Sequence, residues 1–188
     1  MNGFEDGTHQ DSAVSSGHAD RETISSLIAD LSRKDGVVRE SARQSLVAIG
    51  TPAVALLIEA LVHPKESVRW EAAKALGEIR NPAAAPALVA ALEDKVFDVR
   101  WLAAEGLIAL RGEGLVPLLE ALTERPDSLW LRDGVHYVLR EVSAGELNEV
   151  LRPVRAALDG IEPSVEVPFA AKTALNKLME RESQRDSQ

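Results

Sequence analysis

Cysteine is absent from the 188 residues, which removes disulfides, thiolate metal sites and cysteine nucleophiles together. Aromatic side chains make up only 4% of the chain, with three Trp, one Tyr and three Phe. Basic residues are the minority: 21 Lys and Arg stand against 30 Asp and Glu, a net charge of −9. Such a balance repels nucleic-acid phosphates and anionic headgroups, and favours basic or apolar partners. No apolar run approaches the roughly eighteen residues a membrane span needs, and the first twenty residues have neither the basic start nor the apolar core of a signal peptide. The chain has no Gly-rich phosphate loop, no GxSxG elbow and no HExxH pair. The expectation is a cytoplasmic protein that meets neither nucleic acid nor membrane and carries no metal or cofactor.

What the chain does have is repetition. The stretch Val68-Arg69-Trp70-Glu71-Ala72-Ala73-Lys74-Ala75-Leu76-Gly77-Glu78-Ile79 returns as Val99-Arg100-Trp101-Leu102-Ala103-Ala104-Glu105-Gly106-Leu107-Ile108-Ala109-Leu110. An earlier copy begins at Val38-Arg39 and a looser one at Leu131-Arg132, so the aliphatic–Arg pairs fall at 38, 68, 99 and 131. Self-similarity at about 30 residues marks a stacked repeat array. Between the copies lie shorter apolar stripes at helical spacing, carried by Leu57, Ile58 and Leu61, by Leu88, Val89 and Leu92, and by Leu118, Leu119 and Leu122. Gly50-Thr51-Pro52, Asn81-Pro82 and Gly112-Glu113-Gly114 punctuate the pairs. The predicted fold is all-α, a right-handed α-solenoid of about five helix pairs, because each pair must stack on the next to bury both of its sides.

Domain limits follow from composition. Residues 1–20 are rich in Gly, Ser, Asp and His, and are expected to form a flexible tail. Residues 21–180 make the repeat domain, and 181–188 a frayed polar end. The last pair is irregular, with a helix from Leu147 to Leu158, a longer turn from Pro163 to Val167 and a weak copy of the signature from Val167.

Within a copy, Val68, Ala72, Ala75, Leu76 and Ile79 form the buried stripe. Trp70, Glu71, Lys74 and Glu78 are left for the opposite side. Their equivalents are Trp101, Leu102, Glu105 and Ala109, then Asp133, Gly134, Tyr137 and Glu141. Stacked helices are about 8–10 Å apart, so equivalent positions should form rows across one surface, with Phe169 as a continuation. The recurring Arg39, Arg69, Arg100 and Arg132 read as ties to loop carbonyls or to carboxylates of the adjacent repeat.

The run VRWEAAKALGEIRNPAAAPALVAALEDKVFDVRWLAAEGLIAL resembles the short HEAT-like repeats named after phycobilisome lyases, clearly over residues 24–142 and more loosely over 147–179. The resemblance implies that the solvent positions of each second helix line the concave face. It points to adaptor proteins, and to bilin lyase subunits that handle tetrapyrroles. A related iron-dependent hydroxylase has His-Glu pairs where this chain has Trp70-Glu71, Trp101-Leu102 and Asp133-Gly134, so iron ligation is not expected. Related alkylpurine glycosylases need a basic groove, and the rows here are acidic.

The function expected is therefore a non-enzymatic binding scaffold whose concave face takes a basic or apolar protein segment or peptide. Trp70, Trp101, Leu102 and Tyr137 are its expected anchors, with Glu71, Lys74, Glu105 and Asp133 as charged neighbours. The alternative is a bilin lyase or chromophore-handling subunit. A second repeat subunit docking on the open end of the stack is the remaining partner class.

Overall fold

The computed structural model describes residues 11–185, and no strand occurs among them. Ten helices follow one another: α1 Asp11–Asp30, α2 Gly36–Ile49, α3 Val54–Ala60, α4 Glu66–Ile79, α5 Ala85–Ala91, α6 Phe97–Ala109, α7 Leu115–Glu124, α8 Leu129–Val142, α9 Glu146–Leu158 and α10 Pro163–Arg185. Short 3-10 turns at Thr51–Ala53, Pro82–Ala84 and Arg111–Gly114 lead into α3, α5 and α7. The chain is an all-α solenoid.

Local chemistry sets the element ends. Asp35 caps α2 by accepting the Val37 N–H at 2.9 Å, and Ser128 caps α8 by accepting the Leu131 N–H. Gly50 stops α2 with a φ of 73°, a conformation that costs glycine nothing. Pro52 and Pro82 open the following 3-10 turns, where a missing N–H is harmless.

The helices lie in two layers. The second helices α2, α4, α6 and α8 pack in series, and α1, α3, α5 and α7 line up behind them. Leucines fill the space between the layers. Leu46, Leu57, Leu76, Leu88, Leu107, Leu118, Leu131 and Leu139 are each at most 1% exposed, and full burial of such a side chain contributes about 1.5–3 kcal/mol. Helices α4 and α6 approach closely: a Cβ on Gly77 would lie 3.1 Å from the Gly106 Cα.

The ends differ from the sequence expectation. Residues 1–10 of the expected tail lie outside the described residues, but α1 already begins at Asp11, within the stretch assigned to the tail. Adding residues to a formed helix costs far less than starting one, so a polar segment follows the helix anchored by Ile24 and Leu31. At the other end α10 runs to Arg185, into the expected frayed segment, and 186–188 lie outside the described residues. Pro163–Val167 is no separate turn; it is the start of α10, with Pro163 at a position that needs no N–H partner. Helix α10 packs chiefly on α7 and α9 instead of extending the α4–α6–α8 layer. Phe169, although exposed, is therefore not the next member of the rows.

Candidate functional site

Four arginines hold the repeats in register. Each sends Nη1 back to a carbonyl in the turn before its own helix: Arg39 to Arg33 and Lys34, Arg69 to His63 and Pro64, Arg100 to Asp94, and Arg132 to Pro126, at 2.8–3.2 Å. Arg69 also forks onto Asp94 of the next repeat, Nε to Oδ2 at 2.5 Å and Nη2 to Oδ1 at 2.9 Å. Burial pushes the Asp94 carboxyl up, but the Arg69 fork and the Val96 N–H outweigh it and hold it below the usual carboxylate range. The hydrogen bond to Asp94 raises the Arg69 guanidinium further, against its desolvation. The ladder is a fastening and presents no free anion site.

On the solvent-facing side of α4, α6 and α8, the rows line up. Tyr137 on α8 donates its hydroxyl to Glu105 Oε1 on α6 at 2.7 Å, joining equivalent positions of adjacent repeats. That bond to Glu105 raises the Tyr137 phenol above its ordinary value, with burial adding to it. One position back along the row, the Lys74 ammonium on α4 lies 5.0 Å from the Trp70 ring centroid.

Two expected site residues are elsewhere. Leu102 is only 7% exposed and belongs to the core. Glu71 is 5% exposed, and its carboxylate meets Arg43 Nε at 3.1 Å and Arg39 Nε at 3.4 Å. The reason is angular. At about 100° per residue, the position three after Val68 or Val99 falls about 40° from the buried stripe, and therefore faces the neighbouring helix. Gly134, the third member of that row, lies tight against the core: a Cβ there would be 2.9 Å from Leu92 Cδ2. Trp70 itself is half-buried and packs on the core. Glu78, expected on the side opposite the buried stripe, is taken by Arg43 Nη1. The α2–α4 seam is thus an ion network of Arg39 and Arg43 with Glu40, Glu71 and Glu78, beside a hollow of about 400 Å³.

The α6–α8 seam is built from different material. Trp101 is 49% exposed, and beside it stand Phe97 at 66% and Trp130 at 46%. With Arg100, Ala104, Asp133, Gly134 and Tyr137 they line a hollow of about 250 Å³. The Arg100 guanidinium lies 4.7 Å from the Trp130 centroid and 5.6 Å from that of Phe97. Of the expected residues, Trp101, Glu105, Asp133 and Tyr137 come together here. Phe97, Arg100 and Trp130 join them without being anticipated. Their readable signal is an aromatic in the first turn of a second helix, at Phe97 two residues before Val99-Arg100 and at Trp130 one before Leu131-Arg132.

Among the described residues no group of three or more His, Asp or Glu is placed to hold a metal ion, and no single helix is long and apolar enough to cross a membrane. His136 is part-exposed and its Nε2 reaches Asp159 Oδ1 at 2.9 Å.

Comparison with known proteins agrees with the repeat geometry. Residues 54–140 match the family model for HEAT repeats, and residues 38–63 that for PBS lyase HEAT-like repeats. No curated protein matches the sequence. Among solved structures, the crystal structure of an engineered protein from the Northeast Structural Genomics Consortium is 21% identical and covers 90% of this chain and 93% of its own, with a TM-score of 0.41. With stacked helix pairs and a repeating arginine tie, the two matches, which overlap at 54–63, show that residues 38–140 are built of HEAT-like repeats, the stretch 38–63 matching the PBS-lyase type.

Proposed function

We propose that the protein is a non-enzymatic binding scaffold whose partner docks on the solvent-facing side of α6 and α8, the side expected to be concave. The carrying observation is the concentration of exposed rings there: Phe97, Trp101 and Trp130 share one hollow in a chain with only 4% aromatics. Exposed apolar clusters with a polar rim mark interaction surfaces, and Trp, Tyr and Arg are the usual energetic anchors of interfaces. Trp101, Trp130 and Tyr137 are the anchors in this reading. Asp133 and the Glu105 carboxylate supply the charge that Glu71, buried against two arginines, does not.

A polypeptide partner fits this face better than an open-chain tetrapyrrole. The hollow, about 250 Å³, is below the roughly 300–1,000 Å³ of sites that enclose a drug-sized ligand. It suits a single side chain of a longer partner. Trp101→Ala is expected to weaken partner binding by about 2 kcal/mol or more with helicity unchanged. Partner capture from the source cell's lysate with wild type and Trp101→Ala checks this, and identical partner lists would refute the assignment of the face.

A further inference from the structure

We infer that the α6–α8 hollow selects a lysine side chain of the partner polypeptide, holding its ammonium between the Trp101 indole and the Asp133 carboxylate. This rests on the reading of that face as a partner surface and names the chemistry it recognises. One address in the repeat is filled in two ways. In α4, Trp70 is followed four residues later by Lys74, whose ammonium lies over the indole at 5.0 Å from its centroid. An ammonium there is drawn by the negative face of the ring. In α6, Trp101 is followed four residues later by Glu105, which is engaged with the Tyr137 hydroxyl. The Trp101 ring thus lacks the cation that its counterpart holds, and stays 49% exposed.

The nearby cations are committed to other rings. Arg100 lies over Trp130 and Phe97 and is anchored to the Asp94 carbonyl at 2.8 Å. Arg140 lies over Tyr137, 5.5 Å from its centroid. Asp133, on the lining of the same hollow, is exposed, and forms no ion pair or hydrogen bond among the described residues. Ala104 and Gly134 add little bulk to the lining. A lysine stem can lie along such apolar surface while its head meets a carboxylate. At the equivalent ring the resident cation is a lysine, Lys74, which sets the precedent for an ammonium over Trp101. The net charge of −9 draws a cationic segment toward the molecule.

The test follows the three indole N–H resonances of the full chain while blocked Gly-Lys-Gly and its norleucine counterpart are titrated in, with Trp101→Phe assigning the signal. The Trp101 resonance is expected to shift saturably with the lysine peptide and to respond roughly tenfold more weakly to norleucine. Asp133→Asn is expected to weaken the lysine response by a similar factor and to flatten its salt dependence. Glu105→Lys supplies the cation within the chain, as at Trp70, and is expected to abolish the response. Circular dichroism checks each fold, and Asp133→Asn, an exposed substitution, carries the test if Glu105→Lys does not fold. Equal responses to lysine and norleucine would overturn the cation assignment while leaving the partner surface standing. Absence of any Trp101 shift with the lysine peptide would overturn the inference outright, whereas partner capture unaffected by Trp101→Ala would remove the surface itself.

Discussion

The α2–α4 and α6–α8 seams carry the same repeat positions and use them in opposite ways. In the first, Arg39 and Arg43 meet Glu71, Glu78 and Glu40, so every row carboxylate is matched within the chain. In the second the place of Glu40 holds Trp101, those of Arg43 and Glu71 hold Ala104 and Gly134, and Asp133 is left without a partner among the described residues. Backbone address is set by the repeat, and the side chain decides whether that address fastens the stack or faces a ligand. A buried pair such as Arg43–Glu71 adds little net stability, since desolvation offsets the attraction, but removing one member is costly.

Exchanging residues between the α2–α4 seam and its α4–α6 counterpart gives the largest expected effect. Leu102→Glu places a carboxylate where α4 offers Ala73 at the position that Arg43 holds on α2, and is expected to lose about 3–5 kcal/mol in urea unfolding. The reverse change, Glu71→Leu, leaves Arg43 with Glu78 and Glu40 and is expected to cost less, about 1–3 kcal/mol. Equal losses would mean that the α2–α4 and α4–α6 seams are not chemically distinct.

The Arg69–Asp94 tie lies between the seams and sharpens the comparison through pH. Asp94 is held below the ordinary carboxylate value in the folded protein, so its contribution is present above about pH 4 and is lost as pH falls through the lowered folded value. Asp94→Asn is expected to cost about 2 kcal/mol at neutral pH and to flatten the acid limb of the stability profile. An unchanged acid limb would remove the tie from the account.

The smallest effect is spectroscopic. Tyr137 is the chain's single tyrosine, so the tyrosinate band reports it alone. Its phenol is raised by the bond to Glu105, so that contribution to stability is intact below about pH 10 and disappears as pH rises through the folded value. Glu105→Gln is expected to bring the midpoint down toward the ordinary value. A midpoint that does not move would show that the row contact is absent in solution.

Much of the fold was readable because the repeat gives the same instruction several times. Val68, Val99 and Leu131 begin the buried stripe at one phase, and Gly50 and Pro52 mark a boundary by backbone chemistry alone. The site was readable only in part. Trp101, Glu105, Asp133 and Tyr137 follow from the phase of the helix, but Glu71 and Leu102 are at an angle where exposure depends on the neighbouring helix. Arg43 buries one and the apolar seam buries the other. Trp130 and Phe97 fall in first turns, outside the four-position pattern, and only packing of α8 against α6 brings them to Trp101. The end of the stack was legible for its helices but not their partners, since nothing local to Val167–Leu175 states that α10 turns toward α7.

The most direct test is the affinity of a captured partner for two single variants measured side by side, Trp101→Ala on the open seam and Trp70→Ala on the closed one. A loss of about 2 kcal/mol or more for Trp101→Ala, with little change for Trp70→Ala, is the expected result. Equal losses at both, or none at Trp101, would contradict the assignment of the α6–α8 face as the place where this protein meets its partner.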